Sequence, residues 1–315
     1  MPVPPPASPI PSKDSDWRLY WRLTRPGFLS ITVVAVLLGL STAWACGCGF
    51  DPVTAGITLV LACVAHAGAN VLNDCEDAVN GADAANQQGL FPFTGGSRLI
   101  QAAEVSVREA RSWAWVLLGV MVLGGLWLAL RAGSGLVLIG ACGLFLAWAY
   151  SSPPLALMSR GIGELTVALA WWLVVVGADY VQRRHFFIMP AFAGVSLGLL
   201  VANILLINGV PDAPADRSVG KCTLATRLNP KALAALYTGL ALFAHGWVAW
   251  GVWALIPPQT ALWSLLSLPL SLAAAAMLFR HGETPQRLRP AIGLTIASAN
   301  LHGLALAVGM VLPRW

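Results

Sequence analysis

Nine apolar runs, most of them close to 20 residues long, recur from one end of this chain to the other. A helix rises about 1.5 Å per residue, so ~20 such residues cross the ~30 Å hydrocarbon core of a bilayer. The runs fall at about 27–46, 53–72, 113–130, 134–150, 163–181, 186–207, 232–255, 260–279 and 291–312. Only 10% of the 315 residues are charged and 57% are hydrophobic, whereas a soluble chain carries about 25% charged residues. Lipid offers no hydrogen-bond partners, so each run is expected to satisfy its own backbone as a helix. The chain therefore reads as an all-α, polytopic protein embedded in a lipid bilayer.

Basic residues give that bundle an orientation. Nine crossings place the two termini on opposite sides. Of the 19 Lys and Arg residues, only Arg131, Arg183, Arg184 and Arg314 fall on the side away from the amino terminus. Positive charge accumulates on the cytoplasmic face, so the amino terminus is expected there, with the protein in a cytoplasmic membrane of bacterial type. The same asymmetry explains the net charge of +5 without any nucleic-acid partner. Residues 1–16, rich in Pro and Ser, read as a disordered tail ahead of a membrane domain at 17–315. The first apolar run reads as a retained span, because no cleavage pattern marks a signal peptide. The six Cys show no metal-site spacing. Cys46 and Cys48 are read as small apolar residues, since cysteines two apart rarely meet disulfide geometry.

Two carboxylate clusters interrupt this apolar pattern. The first runs Asn73-Asp74-Cys75-Glu76-Asp77 through Gly81 and Asp83, and the second runs Asn208-Gly209-Val210-Pro211-Asp212 through Asp216. Each contains Asn-x-x-x-Asp directly after an apolar run, and together they hold six of the 14 acidic residues. An Asp at membrane depth costs roughly 2.5–3.5 kcal/mol on insertion scales, so such groups persist mainly where they function. Facing carboxylates repel unless cations lie between them, and hard divalent ions such as Mg²⁺ take oxygen ligands and share them with substrate phosphates. One Asn or Asp at a helix end is commonly a cap; two motifs with equal spacing on one membrane face point instead to a site. They lie 135 residues apart in sequence and suggest a pseudo-repeat with halves near 20–155 and 160–285.

The segments on the same face add basic groups. Pro92-Phe93-Thr94-Gly95-Gly96-Ser97-Arg98 is read as a turn that brings backbone N–H groups and a guanidinium to an anion. Arg217 and Lys221 follow the second motif. Metal-holding acids, anion-holding bases and an apolar interior together suit a lipid diphosphate. His66, His245 and His302 lie singly on apolar runs and are read as helix-packing residues.

These residues resemble the UbiA superfamily of intramembrane prenyltransferases. The resemblance extends from Arg25-Pro26 to the ninth run. It is carried by Asn73-Asp74-x-x-Asp77-x-x-x-Gly81-x-Asp83, by Asn208-x-x-Pro211-Asp212-x-x-x-Asp216-Arg217-x-x-Gly220-Lys221-x-Thr223-Leu224, by the Phe93–Arg98 loop, and by Tyr150-Ser151-x-Pro153-Pro154-Leu155 through Glu164. It implies nine transmembrane helices around a central cavity with a cytoplasmic cap, and a polyprenyl diphosphate donor bound through Mg²⁺. In that reading Asp77, Asp83, Asp212 and Asp216 are metal ligands assisted by Asn73 and Asn208. Asp74 is a secondary ligand or acceptor-side base, and Arg98, Lys221 and Arg217 contact the diphosphate. Asp74, Asp77 and Asp212 form the expected catalytic set. The Gly81-x-Asp83 spacing resembles the branch that prenylates 1,4-dihydroxy-2-naphthoate for menaquinone synthesis; 4-hydroxybenzoate or another aromatic acceptor remains open. Pro214 departs from the pattern and is expected to disturb the turn joining Asp212 to Asp216. A cation-coupled transporter is the alternative of another class, but transporters place such acids near the midplane.

Overall fold

Within the described residues the chain folds as nine long apolar helices with no strands. The computed structural model describes residues 17–87 and 89–312. The expected tail at 1–16 lies outside these residues, as does Arg314. The helices are α1 (Pro26–Ala45), α2 (Pro52–Asn80), α3 (Val107–Ala132), α4 (Ser134–Ser151), α5 (Gly163–Arg183), α6 (Ile188–Ser218), α7 (Pro230–Trp253), α8 (Gln259–His281) and α9 (Pro285–Val311). A short helix, Trp17–Leu23, precedes them.

The nine expected runs are all present as helices, and the largest differences in length fall on two of them. The apolar run of α2 ends near residue 72 and that of α6 near 207, yet the helices continue to Asn80 and Ser218. Both acidic motifs are therefore helical extensions that carry polar groups beyond the apolar segment. Pro214 does not break the second one: α6 runs through Pro211 and Pro214, so Asp212 and Asp216 share a face one turn apart. Membrane helices tolerate proline because neighbouring groups take up the freed carbonyls. Helix starts carry ordinary signals, with Asp51 capping α2, Asn229 capping α7 and a Ser106–Glu109 capping box on α3.

Helices α1, α5, α6 and α9 form the densest part of the bundle. Leu38, Val175, Leu197 and Leu306, one from each, are buried in a shared cluster. Small residues permit the close crossings. A Cβ on Gly39 of α1 would lie 2.2 Å from the Val175 carbonyl of α5, and one on Gly198 of α6 would lie 2.6 Å from the Ala168 carbonyl. Lipid-embedded helices associate by such backbone approach, because burial from water is not available to drive them together. Polar ties act in the same region. His245 and His302 converge on Ser267 at 2.7 and 3.5 Å, and His302 also meets Ser196 at 2.9 Å. These two histidines thus join helices as expected. Outward side chains remain apolar, with Leu123 71% and Leu266 68% exposed, as a lipid-facing surface requires. One local expectation is corrected: Cys46 and Cys48 are paired as a disulfide in the turn after α1, their Cα atoms 5.2 Å apart.

The α1–α5 and α5–α6 crossings give a direct test. Gly39→Leu or Gly198→Leu forces the helices apart, and overpacking of this kind costs about 1–3 kcal/mol or more. Each variant is expected to unfold at lower temperature in detergent; an unchanged Tm in both contradicts this packing.

Candidate active site

Helices α1 to α6 enclose a cavity of about 610 Å³ whose wall changes from charged to apolar along its length. Asn73, Asp77, Asp83, Asn208, Asp212, Asp216 and Lys221 line one end. Residues such as Leu118, Val122, Leu144, Val167 and Val174 line the rest. The polar end arises because α2 and α6 each present one turn-repeated stripe inward, Asn73 with Asp77 and Asn208 with Asp212 and Asp216. None of the lining comes from α7, α8 or α9; α7 and α9 pack against the other side of α6, and α8 packs on those two.

At the charged end, Lys221 lies between the two motifs. Its Nζ is 2.5 Å from Asp77 Oδ1 and 3.2 Å from Asp216 Oδ1. Lys221 is reached by a tight turn after α6 in which its backbone N–H donates to the Asp216 carbonyl at 2.9 Å. Burial opposes its charge, yet the two carboxylates prevail and hold the ammonium above the usual lysine pKa. Asn73 Nδ2 donates to Asp77 Oδ2 at 3.3 Å and Asn80 Nδ2 to Asp77 Oδ1 at 3.1 Å, which orients that carboxylate.

A loop between α2 and α3 closes over the other acids. Ser97 N–H donates to Asp74 Oδ2 at 2.8 Å, and Gly95 N–H donates to Asp212 Oδ2 at 3.3 Å. Asn86 Nδ2 donates to Asp212 Oδ1 at 2.6 Å. The Gly-Gly-Ser turn does cradle anions, as its sequence suggests, but here they are the protein's own carboxylates. Gly96 is required there, since its φ is +71° and a Cβ would lie 2.7 Å from Asp83 Oδ2. Asp83 also accepts from Gln101 Nε2 at 3.2 Å. Its burial, with Asp77 and Asp74 nearby, pushes the carboxyl up to about 8.

Three expected site residues are not brought to the cavity wall. Asp74 is buried under the loop, 3.9 Å from Arg25 Nη1. Arg98 holds the loop from behind, donating to the carbonyls of Asp83 and Asn86 and lying over the Phe91 ring. Arg217 points away and donates to the Thr226 carbonyl at 3.0 Å. The guanidinium that does reach the cavity is Arg25, just before α1. Its left-handed backbone conformation and the Phe28 ring beneath it, 4.8 Å from Cζ, aim it inward, and its Nε is buried without a hydrogen-bond partner. The signal for it was the Arg-Pro pair opening the first span, where charge alone read as topology. His66 also lines the wall, bonded to Thr32 at 2.7 Å and edge-on to Trp171.

The donor set suits a hard cation. All candidate ligands are oxygens, and Asn208 Oδ1 is a buried acceptor with no partner. Among the described residues no three His, Cys, Asp or Glu side chains converge as a ready-made metal group.

A family model described as the UbiA prenyltransferase family matches residues 32–304. The chain belongs to the UbiA prenyltransferase family. It is accordingly a membrane-embedded prenyltransferase. A 1,4-dihydroxy-2-naphthoate octaprenyltransferase of Escherichia coli (strain K12) is 28% identical over 301 residues, covering 92% of this chain and 94% of that protein. A 2-carboxy-1,4-naphthoquinone phytyltransferase of Synechocystis sp. is 25% identical over 297 residues, covering 93% and 92%. Among solved structures, a UbiA homolog from Aeropyrum pernix K1 superposes with a TM-score of 0.64 at 19% identity, covering 89% of this chain and 98% of its own. Another from Archaeoglobus fulgidus, bound to GPP and Mg²⁺, gives 0.59 at 19% identity over 92% and 99%. These likenesses show that the UbiA fold is shared.

The Lys221 bridge generates a prediction. Lys221→Met leaves two poorly solvated carboxylates facing one another, and breaking a buried pair costs about 3–5 kcal/mol. The variant is expected to lose thermal stability in EDTA and recover it with Mg²⁺. A Tm equal to wild type in EDTA contradicts the bridging role.

Proposed function

We propose that this prenyltransferase moves a polyprenyl group from an allylic diphosphate to 1,4-dihydroxy-2-naphthoate, with Mg²⁺, in menaquinone synthesis, its charged end facing the cytoplasm. The observation that carries this reading is the polarity of one cavity: two acidic motifs, Lys221 and Arg25 at one end, and an apolar channel leading away from them. A diphosphate with an isoprenoid tail has that same division. The acids cluster at one end and not at the middle of the bundle, which favours head-group chemistry over an ion path.

Asp77, Asp83, Asp212 and Asp216, with Asn73 and Asn208, are the residues that would hold the metal. Mg²⁺ bound there supplies positive charge that neutralises the leaving diphosphate. Arg25 and Lys221 add fixed positive charge to the same oxygens without moving a proton. Arg98 serves by holding the loop that positions Asp74, Asp83 and Asp212. The allylic C–O bond breaks with its electron pair leaving on the diphosphate. An electron-rich ring carbon of the acceptor then forms the new C–C bond, and the ring regains aromaticity by losing H⁺, or CO₂ where the attacked carbon carries the carboxylate. The apolar wall excludes water, which would otherwise trap the cation as an alcohol.

The naphthoate acceptor rests on the names of relatives and on the Gly81-x-Asp83 spacing. A 4-hydroxybenzoate acceptor is the second reading within the same chemistry. Membranes containing the protein, given a long-chain allylic diphosphate and a panel of aromatic acceptors, are expected to form a prenylated naphthoate with Mg²⁺ and none with EDTA. Asp77→Asn and Asp212→Asn are each expected to abolish that product while remaining folded in the membrane. Near-normal turnover by both variants contradicts the metal assignment, and a different prenylated acceptor contradicts the naphthoate reading.

A further inference from the structure

A second cavity lies on the face opposite the two acidic motifs, between the α1–α2 turn and the last turns of α3 and α5. Its volume is about 550 Å³, within the ~300–1,000 Å³ of small-molecule sites. Gln182 fixes one wall. Its Oε1 accepts from the Asp51 N–H at 2.8 Å, and its Nε2 donates to the Asp51 carbonyl at 3.2 Å and to Thr54 Oγ1 at 3.1 Å. These bonds tie the α1–α2 turn to the end of α5.

Arg131, Arg183 and Arg184 line this cavity. They are three of the four basic residues on their side of the bundle, and membrane topology disfavours arginine there. Helix ends do attract basic side chains through the dipole, but that attraction calls for no shared cavity. Arg184 also ends α5 with a left-handed φ of 62°, where glycine or asparagine is usual. Arg183 is already committed: its Nε donates to Asp179 Oδ2 at 3.0 Å, and its guanidinium lies 3.7 Å over the Phe187 ring. Arg131 rests over the Trp127 ring at 4.3 Å, and among the described residues neither it nor Arg184 has an ion-pair partner. Asp51 is the one carboxylate in the lining, and it accepts from the Val53 N–H at 2.9 Å. Two uncommitted guanidiniums thus face one carboxylate, a surplus of one positive charge. Apolar side chains flank them on the lipid side. Leu130, beside Arg131, is 87% exposed, and Phe186 and Ile188, just beyond Arg184, are 58% and 73% exposed.

We propose that this cavity binds the headgroup of a membrane phospholipid with one net negative charge, of the phosphatidylglycerol type, from the leaflet on that side. The phosphodiester takes hydrogen bonds from Arg131 and Arg184, whose planar forks match phosphate oxygens. Asp51 accepts from a headgroup hydroxyl, and the acyl chains lie along Leu130, Phe186 and Ile188. Basic pockets between membrane helices recognise lipid head groups by the same means. A choline or ethanolamine head brings its own cation and loses the charge match. The site is separate from prenyl transfer and does not depend on the donor or acceptor proposed above.

The test titrates full-length protein in detergent with phosphatidylglycerol, phosphatidylcholine and phosphatidylethanolamine of identical acyl chains, and with free glycerol phosphate. Bound lipid is counted by native mass spectrometry and its stabilisation read as a rise in Tm, since a ligand of the folded state alone raises it. Wild type is expected to hold phosphatidylglycerol at least about tenfold more tightly than the other two lipids, and glycerol phosphate should give no rise in Tm. Arg131→Gln and Arg184→Gln should each weaken phosphatidylglycerol by about tenfold or more, as for loss of one hydrogen bond to a charged group. Arg108→Gln is the control for general attraction to anionic lipid, because Arg108 is exposed at the opposite end of α3 and should leave binding unchanged. Should a Gln variant fail to fold, Arg→Lys at the same position keeps the charge without the fork and is expected to weaken binding less than tenfold but measurably. Equal affinity for the three lipids overturns the proposal, as do folded Arg131 and Arg184 variants that bind like wild type. Protection by glycerol phosphate as strong as by the lipid would make this a free-phosphate site and overturn it too.

Discussion

Two carboxylate-bearing helix ends face each other in a bundle that has little other charge, and a cation must lie between them. Lys221 supplies one, touching Asp77 from α2 and Asp216 from α6. Much of the surrounding architecture follows from that requirement. Both helices extend past their apolar segments to bring the acids together, and the loop from Asn86 to Ser97 turns its amide and backbone donors onto the remaining carboxylates. Arg25 is directed toward the same end from α1. The outcome is a site with fixed positive and negative groups in place before any ligand arrives, which limits reorganisation during reaction.

The apolar arm obeys a different constraint. Its wall is made by single stripes on four or more helices, and several positions on those stripes carry no side chain. Tight glycine crossings at Gly39 and Gly198 hold α1, α5 and α6 together on one side, while the glycines of the arm leave space on the other. One residue type thus serves both close packing and an open channel, and the surroundings of each glycine decide which.

Much of this was legible in the sequence. Apolar run length specified nine helices, because a bilayer allows few other solutions, and the paired Asn-x-x-x-Asp motifs marked the charged end. The geometry of the basic residues was not legible. Arg98, Arg217 and Arg25 carry the same charge on the same face, and only the fold shows that the first two bond backbone carbonyls while the third enters the cavity. The run of α6 through Pro214 was hidden for a related reason: local propensity penalises proline, but neighbouring helices and loops stabilise the turn. His66 looked like His245 and His302 in sequence; like them it ties helices, through its bond to Thr32 of α1, but it also sits on the cavity wall.

The central claim is that both acidic motifs serve one cation-bound diphosphate. It is tested most directly by Mn²⁺ binding, followed by electron paramagnetic resonance, with and without an unreactive thio-analogue of the allylic diphosphate. The account predicts tight Mn²⁺ binding only when the analogue is present, lost equally in Asp77→Asn and Asp212→Asn. Tight binding without the analogue, or binding that survives either substitution, would contradict it.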